Sequence, residues 1–196
     1  MGLRVLLAED DPAVCASVAE QLRSLGHEVV GEAGSGREAV RLALEAKPDV
    51  VVMDIKMPDG DGIEAACRIA EERPVAVVFL SGHYDEELLS GVAESGGLAY
   101  LLKPATSDQL QAVLGLAHRR FQEMRDLKEQ TQRLAEALEV RKVVARAKGL
   151  LMERHGIGEK EAHRRLQKEA SRSNMKLADL CRAILAAEPF VGEHEG

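Results

Sequence analysis

The chain has 196 residues, of which 45% are hydrophobic and 30% charged, enough to bury the core of one domain and of a small second one. This balance excludes a disordered or fibrous protein. The longest apolar stretches, such as residues 75–80, are too short to span a bilayer, and the amino end lacks the pattern of a signal peptide. We therefore expect a cytoplasmic protein.

The cysteines and histidines indicate neither a disulfide framework nor a zinc site. The three cysteines, Cys15, Cys67 and Cys181, are widely separated and form no CxxC pair, which favours reduced, buried thiols. The six histidines show no HExxH or similar ligand spacing.

The charge is unevenly distributed along the chain. Residues 1–140 carry a net charge of −11, whereas residues 141–188 carry +6. Such asymmetry is typical of a protein whose basic part binds a polyanion. A basic, solvated helix face would produce the same pattern, so the charge alone leaves both interpretations open.

The first 120 residues alternate short apolar strands with amphipathic helices. Strands are predicted at residues 3–8, from 29, and at 50–54, 75–80 and 98–102, each followed by a helix, the fourth helix at 85–93. Helix starts carry capping signals, namely Asp11 before Pro12, Ser35 with Glu38, and Thr106 with Gln109. Such alternation with short loops predicts an α/β fold with a doubly wound, five-stranded parallel sheet that helices cover on both faces.

The central apolar run, residues 50–53, ends abruptly at Asp54. This pattern is typical of a parallel strand buried on both faces, and α/β folds place their sites at the carboxyl ends of such strands. The stretch alone is equally consistent with an Asp54 that only caps the loop, because Pro58 and Gly60 are turn formers. The other strand ends favour a site.

Carboxylate, hydroxyl and amine side chains follow four of the predicted strands. Because parallel strands end at one edge of the sheet, these residues should lie together there: Glu9, Asp10, Asp54, Ser81 and Lys103. Three carboxylates suit Mg²⁺, with water and the backbone carbonyl of Lys56 completing an octahedron. The metal and Lys103 would neutralise a phosphoryl group arriving at Asp54, and the Ser81 hydroxyl could bond one of its oxygens. We therefore expect phosphoryl transfer to Asp54.

Residues 1–120 resemble the receiver domain of two-component response regulators. The acidic pair, the central Asp in D-x-x-M-P-x-x-x-G, the hydroxyl residue, the aromatic residue and Lys-Pro are all present. The resemblance implies a flavodoxin-like fold, Mg²⁺ as cofactor and a sensor histidine kinase as partner. It also implies these roles: phosphoacceptor for Asp54, metal ligands for Glu9, Asp10 and Asp54, phosphoryl contacts for Ser81 and Lys103, and switch aromatic residue for Tyr100.

A heptad pattern continues from the last helix of this domain. Apart from Gly115, no helix breaker occurs between Thr106 and Gly149, and apolar residues recur at alternating spacings of three and four from Leu110 to Leu138. Arg120 interrupts this series at one seam position, and Phe121 lies one place off register. The pattern is consistent with a two-chain coiled coil or with one helix that packs on its own domain. We expect a homodimer, formed in response to phosphorylation.

The basic segment shows three helical patterns, at residues 140–154, 159–172 and 177–187, which predict a small three-helix bundle. Ala147, Lys148 and Gly149 lie inside the first helix. A mid-helix Gly costs about 1 kcal/mol relative to Ala, so we expect another backbone or a ligand to approach closely there.

Residues 128–188 resemble the ANTAR domain of the AmiR and NasR antitermination regulators. The string A-K-G-L-L-M, the break at Gly156 and the spacing E-A-x-x-x-L carry the resemblance. It implies binding of RNA hairpins in leader transcripts and transcription antitermination, and it places Ala147, Lys148, Gly149 and Arg165 on the RNA face. The predicted domains are a receiver domain (1–120), a helical linker (121–140), an RNA-binding domain (141–188) and a disordered tail (189–196).

Two other functions compete with a phosphorylation-dependent antiterminator. A response regulator with a DNA-binding output domain would need a tight helix-turn-helix, whereas the basic residues here spread over two helices. A hydrolase that uses Asp54 as nucleophile, like the haloacid-dehalogenase-like phosphatases, would need a second Asp two residues later, where Lys56 stands. We therefore expect a protein that is not an enzyme.

Overall fold

Five parallel strands form the sheet of the amino-terminal part of the chain. The computed structural model describes residues 2–57, 60–82 and 99–187, and the chain divides into two units, Met1–Asp126 and Leu127–Gly196. In chain order the strands are β1 (Arg4–Ala8), β2 (Glu28–Ala33), β3 (Val50–Asp54), β4 (Lys56–Met57), β5 (Gly60–Asp61), β6 (Ala76–Ser81) and β7 (Ala99–Leu102). The sheet has the order β2-β1-β3-β6-β7 and every neighbouring pair is parallel. The predicted doubly wound sheet is confirmed.

A small hairpin follows the central strand. β4 and β5 pair with each other in antiparallel fashion and take no part in the main sheet. The sequence does not predict this hairpin, because each of its strands has only two residues and the turn formers between residues 56 and 62 conceal them.

The described helices alternate with the strands and then continue alone. In chain order they are α1 (Pro12–Ser24), α2 (Gly36–Ala46), α3 (Gly62–Glu72), α4 (Ser107–His155), α5 (Glu159–Arg172) and α6 (Leu177–Ala186). The helix predicted at residues 85–93 lies outside the described residues. None of the described helices has the length and apolarity that crossing a membrane requires.

The capping signals act as the sequence indicates. The side chain of Asp11 accepts hydrogen bonds from the first-turn amides of α1, and that of Ser35 accepts one at the start of α2. Before α4, Thr106 and Gln109 form a reciprocal capping box. After α1, Gly26 has a φ of 82°, a left-handed conformation in which glycine avoids the clash of a Cβ atom.

Helices cover both faces of the sheet. Successive residues of a strand point to opposite faces, so Leu6 and Phe79 pack against α2 and α3, whereas Leu7 and Leu80 pack against α1 and the first turns of α4. The interior of the sheet is therefore closed to water.

The carboxy-terminal unit is a small helical bundle, as predicted. The end of α4 packs with α5 and α6 around a cluster that includes Ala147, Leu166 and Cys181. Gly156, with a φ of 59°, lies between α4 and α5 and reverses the chain there.

The heptad stripe of α4 divides into two parts. Leu110 and Ala117 are buried in the core of the first unit. Further along the helix the apolar side chains are exposed: Met124 by 59%, Leu127 by 65%, Leu134 by 72% and Leu138 by 52%. The start of the stripe therefore packs on its own domain, and its later part is an apolar surface that residues 2–57, 60–82 and 99–187 leave exposed.

Candidate functional site

The strand order places the acidic residues at one crevice. β1 lies between β2 and β3, so the chain leaves β1 and β3 in opposite directions and a crevice opens at their carboxyl ends. Glu9 and Asp10 follow β1 directly, and Asp54 is the last residue of β3. One ligand atom from each of the three carboxylates lies within 4.8 Å of the others. The structure thus brings together the three acids that the sequence predicts to meet.

The acidic cluster suits a hard divalent cation. Glu9 and Asp54 are only 3% and 7% exposed, whereas Asp10 faces water. Carboxylate oxygens are the ligands that Mg²⁺ prefers, and a bound cation would relieve the repulsion among three close negative charges. The donor set therefore fits Mg²⁺. The carbonyl oxygen of Lys56 as a further ligand stays a prediction.

Lys103 forms ion pairs with two of the three acids. It follows β7, and its Nζ lies 2.5 Å from Oε2 of Glu9 and 2.6 Å from Oδ2 of Asp54. The lysine side chain is 19% exposed. Its amine therefore provides positive charge at the mouth of the crevice, next to the carboxylate that the sequence predicts to be phosphorylated.

Burial and charge perturb the ionisation of this cluster. Burial raises the pKa of Glu9 above its usual value, and the hydrogen bond and charge of Lys103 offset this only in part. Burial by itself would lower the pKa of Lys103, but the hydrogen bonds and charges of Asp54 and Glu9 outweigh it and raise that pKa. Lys103 is thus held in its charged form.

The surroundings of Asp54 include the amide of Lys56 and the neighbouring strands β6 and β7. The amide of Lys56 donates to its Oδ1 at 3.2 Å. Ser81, 4% exposed, ends the adjacent strand β6, and its carbonyl accepts the amide of Lys103 at 2.8 Å. Tyr100 on β7 is half-buried and packs against the core on the side of α2 and α3. The functional roles of Ser81 and Tyr100 stay predictions.

Gly62 supports the backbone of the site, a role that was not predicted from the sequence. It is the first residue of α3, and its amide donates to the carbonyl of Ile55 at 2.7 Å. A Cβ atom at this position would lie 2.0 Å from the carbonyl oxygen of Asp54. Only glycine permits this close approach of two backbones. In the sequence, the signal for this role is the position of Gly62 as the last glycine of D-x-x-M-P-x-x-x-G.

We expect Gly62→Ala to lower the free energy of unfolding by about 1 to 3 kcal/mol, because the added methyl group meets backbone that cannot rotate away. The displaced Asp54 should also be phosphorylated more slowly. Thermal unfolding and phosphorylation by acetyl phosphate measure the two effects. Gly34→Ala is the matched control, since a Cβ atom there meets nothing within 4 Å among the described residues. Equal stability of both variants would contradict the close approach.

Two of the residues predicted to contact RNA are engaged in ion pairs. Nζ of Lys148 lies 2.5 Å from Oε1 of Glu159, and Nε of Arg165 lies 2.9 Å from Oε1 of Glu161. Both acids belong to the first turn of α5, where the helix dipole favours negative charge. Glu161 and Arg165 are four residues apart, which is the spacing of neighbours on one helix face. No spacing rule relates residue 148 to residue 159, so the pairing of Lys148 with Glu159 is visible only in the structure.

The other two predicted RNA contacts occupy different environments. Ala147 is fully buried in the core of the helical bundle rather than on its surface, because its position faces α5 and α6. Gly149 is half-buried, and a Cβ atom there would meet nothing within 4 Å among the described residues. No described backbone explains this glycine, so the approach of a ligand to Gly149 stays a prediction.

Comparison with known families covers both parts of the chain. The sequence pattern of the family described as response regulator receiver domain matches residues 5–115. The pattern of the ANTAR domain matches residues 132–185. The two matches lie in different parts of the chain, and residues 116–131 between them belong to neither.

Individual relatives match either most of the chain or only part of it. The transcriptional regulatory protein PdtaR of Mycobacterium tuberculosis is 45% identical over 175 residues, which cover 88% of this chain and 85% of PdtaR. The transcriptional regulatory protein LiaR of Bacillus subtilis is 39% identical over 110 residues, or 55% of this chain and 52% of LiaR. The crystal structure of the signal receiver domain of a modulated diguanylate cyclase from Desulfovibrio desulfuricans G20 matches with a TM-score of 0.60 and 30% identity, over 63% of this chain and 99% of that domain.

Proposed function

Because the chain belongs to the response regulators that join a receiver domain to an ANTAR domain, we propose that it is a phosphorylation-controlled, RNA-binding antiterminator. One observation carries the first half of this proposal: Asp54 lies among two further acids and Lys103 at the crevice of a doubly wound sheet. The ANTAR match over the basic segment carries the second half.

The chemistry proposed for Asp54 is the formation of an acyl phosphate. A carboxylate oxygen of Asp54 attacks the phosphorus of a phosphorylated sensor kinase, the bond to the donor breaks, and the donor leaves with the electron pair. Mg²⁺ held by Glu9, Asp10, Asp54 and the carbonyl of Lys56 would supply positive charge to the phosphoryl oxygens. Lys103, already 2.6 Å from Oδ2 of Asp54, contributes a second positive charge.

The signal leaves the site through β6 and β7. We propose that Ser81 at the end of β6 bonds a phosphoryl oxygen and that its movement vacates space for Tyr100 to fill. Lys103, hydrogen-bonded through its amide to the carbonyl of Ser81, shares in that shift. Because α4 begins at Ser107, four residues after Lys103, the rearrangement occurs at the base of the helix that bears the heptad stripe.

RNA is the proposed partner of the carboxy-terminal unit. The net charge of +6 over residues 141–188 supports binding of a polyanion through its phosphates. Lys148 and Arg165 contribute cations that the free protein neutralises with Glu159 and Glu161. Binding would exchange each carboxylate for a phosphate, so RNA affinity should fall steeply as salt is raised.

We expect Lys148→Ala to weaken RNA binding by about 1 to 3 kcal/mol, the range for a cation that contacts a base. Titration of a fluorescent RNA hairpin measures affinity, and thermal unfolding measures stability. Lys142→Ala is the matched control, because Lys142 lies on the same helix in an exposed ion pair with Glu139. A Lys148→Ala variant that is less stable but binds RNA unchanged would refute the contact.

A DNA-binding output is the second candidate. PdtaR and LiaR are both described as transcriptional regulatory proteins, a description that covers either nucleic acid. The carboxy-terminal unit does not form a tight helix-turn-helix, because α4 has 49 residues and Lys148 is held in an ion pair. Crosslinking the protein in cells and sequencing the bound nucleic acid decides: RNA hairpins near terminators support antitermination, and DNA fragments support the alternative.

The proposed partners follow from the two domains. A sensor histidine kinase in the cytoplasm would supply the phosphoryl group. A second copy of the chain would cover the exposed part of the heptad stripe, from Met124 to Leu138. We place the linker at residues 121–140 between a receiver domain at 1–120 and the RNA-binding domain at 141–188, and we propose a regulatory rather than an enzymatic role.

A further inference from the structure

A hollow of the amino-terminal unit lies between α1 and the segment that follows β7. Its space is about 410 Å³, within the range of about 300 to 1,000 Å³ that small-ligand sites have. The fully buried Leu80 of β6 lines it, and so do Val18 of α1 and Ala105, which pack in the same apolar core. Ala13, Val14 and Pro104 complete a lining that is mostly apolar.

Three polar side chains also line this hollow: Ser17 and Gln21 of α1, and Lys103. Oε1 of Gln21 is shielded from water and accepts no hydrogen bond from the residues that the structure describes. A shielded oxygen without a donor is destabilising, so a partner for it is favourable. Because the last torsion of a glutamine side chain is broad, a small rotation turns this oxygen toward a molecule in the hollow. The carboxamide then offers an unused acceptor beside an NH₂ donor.

Lys103 connects the hollow with the phosphorylation site. Its Nζ lies 2.5 Å from Oε2 of Glu9 and 2.6 Å from Oδ2 of Asp54. Two carboxylates already balance this cation, which is the only one among the described residues that line the hollow, so the hollow suits a neutral ligand. A phosphoryl group that arrives at Asp54 must displace the amine from Oδ2. A ligand that holds Lys103 in place therefore opposes phosphorylation.

We propose that this hollow binds a neutral, flat, aromatic molecule whose edge carries an N–H beside a carbonyl, and that its binding slows phosphorylation of Asp54. The apolar lining matches the faces of such a molecule, and its cyclic-amide edge pairs with the carboxamide of Gln21. Bound against Lys103 and Pro104, the molecule favours the arrangement in which Nζ contacts Oδ2. The binding is independent of the proposed function, whereas the effect rests on phosphorylation of Asp54.

The test uses the full chain and two bicyclic probes. 2-Quinolinone has the cyclic-amide edge, and quinoline has the same fused rings without it. Nuclear magnetic resonance of the isotope-labelled protein follows the backbone amides during titration with each probe. We expect saturable shifts for residues 13–21, 103 and 105, which surround the hollow. The affinity for 2-quinolinone should be about tenfold higher than that for quinoline, the effect of one to two hydrogen bonds.

Three variants assign the binding to the hollow. Ser17→Phe fills it from the exposed rim and should abolish the shifts with both probes. Ala16→Phe is the matched control, because Ala16 is the neighbouring exposed residue of α1 and does not line the hollow. Gln21→Met removes the carboxamide at similar volume, so it should weaken 2-quinolinone binding about tenfold and leave quinoline binding unchanged.

Phosphorylation by acetyl phosphate with Mg²⁺ measures the effect of the ligand without any partner protein. Saturating 2-quinolinone should slow phosphorylation of the wild-type chain at least about fivefold, the lower end of couplings between two sites. The same concentration should leave the rate of Ser17→Phe unchanged. A wild-type rate that stays the same while the hollow is occupied would refute the effect on Asp54.

The other outcomes separate the inference from the proposed function. Shifts that lie elsewhere overturn the site, and equal affinity of wild type and Gln21→Met for 2-quinolinone overturns the ligand class. A smaller dimer fraction in sedimentation on addition of the probe would show that a second copy of the chain covers the hollow instead. If acetyl phosphate does not modify Asp54 even without a probe, the proposed function fails, and the titrations still test the hollow.

Discussion

Asp54→Asn should abolish phosphorylation of this protein by acetyl phosphate in the presence of Mg²⁺. The reaction requires a carboxylate oxygen that attacks phosphorus while acetate leaves, and an amide is not nucleophilic enough to replace it. Asp54 is the acid that combines an Oδ2 atom 2.6 Å from Nζ of Lys103 with an Oδ1 atom that accepts the amide of Lys56. Intact-mass spectrometry detects the added phosphoryl group directly.

Two controls accompany the Asp54 experiment. Asp49→Asn removes a carboxylate that precedes the other end of β3 and accepts the amide of Arg4 at 2.9 Å, and it should leave phosphorylation unchanged. Chelation of Mg²⁺ should prevent phosphorylation of the wild-type chain, because Glu9, Asp10 and Asp54 would then repel the incoming phosphoryl oxygens. Phosphorylation of Asp54→Asn at the wild-type rate would show that the acceptor has been assigned wrongly.

Phosphorylation should also increase pairing of the chain by more than a hundredfold, and RNA affinity with it. The phosphoryl mimic beryllofluoride is expected to shift the equilibrium from monomer to dimer in sedimentation experiments. A change of about 3 kcal/mol in the pairing free energy suffices for this effect, which lies at the upper end of measured allosteric couplings. Two RNA-binding units in one dimer would then bind a twin-hairpin RNA more tightly through effective concentration alone.

The exposed stripe of α4 provides the surface for this pairing. Leu127, Leu134 and Leu138 are more than half exposed in the single chain, and each buried leucine side chain contributes about 1.5 to 3 kcal/mol. Leu134→Glu should therefore prevent dimer formation with beryllofluoride. Gln132→Glu places the same charge on the opposite side of the helix and should leave pairing intact.

RNA titrations with the same proteins complete the experiment. Leu134→Glu should bind a single hairpin like the wild-type chain but should lose the gain on a twin-hairpin RNA. Equal oligomeric state and equal RNA affinity with and without beryllofluoride would exclude control through the stripe, even if Asp54 is phosphorylated.

Local sequence signals predict the elements of the first unit well. Asp11, Ser35 and Thr106 start their helices as expected, because a cap requires only residues within one turn of each other. The strands are predicted within a few residues, because an apolar run between turn formers is also a local property. The two-residue strands β4 and β5 are missed, since they are shorter than any periodicity can register.

The sequence predicts which residues lie at the candidate site but not which of them are in contact. Parallel strands that end at one edge suffice to bring Glu9, Asp10, Asp54, Ser81 and Lys103 to the same region. The sequence does not show that Lys103 lies between two of the acids, or that Gly62 approaches the carbonyl oxygen of Asp54. These contacts depend on the course of loops whose backbone conformation no spacing rule specifies.

In the carboxy-terminal unit, too, the sequence predicts the helices but not the contacts between them. The helical pattern predicts α5 and α6, and the family resemblance predicts which residues face RNA. Burial of Ala147 and the pairing of Lys148 with Glu159 appear only in the structure. A helical pattern gives the angle of a residue around its own axis, whereas its environment depends on which neighbouring helix occupies that side.

The succession of strands and helices, the residues at the strand ends and the basic character of the carboxy-terminal segment could thus be predicted, because each depends on residue type and local spacing. Which part of the heptad stripe is buried and which cations are paired could be learned only from the folded chain. These features arise from contacts between residues far apart in the chain, and each contact depends on the packing of all the elements around it.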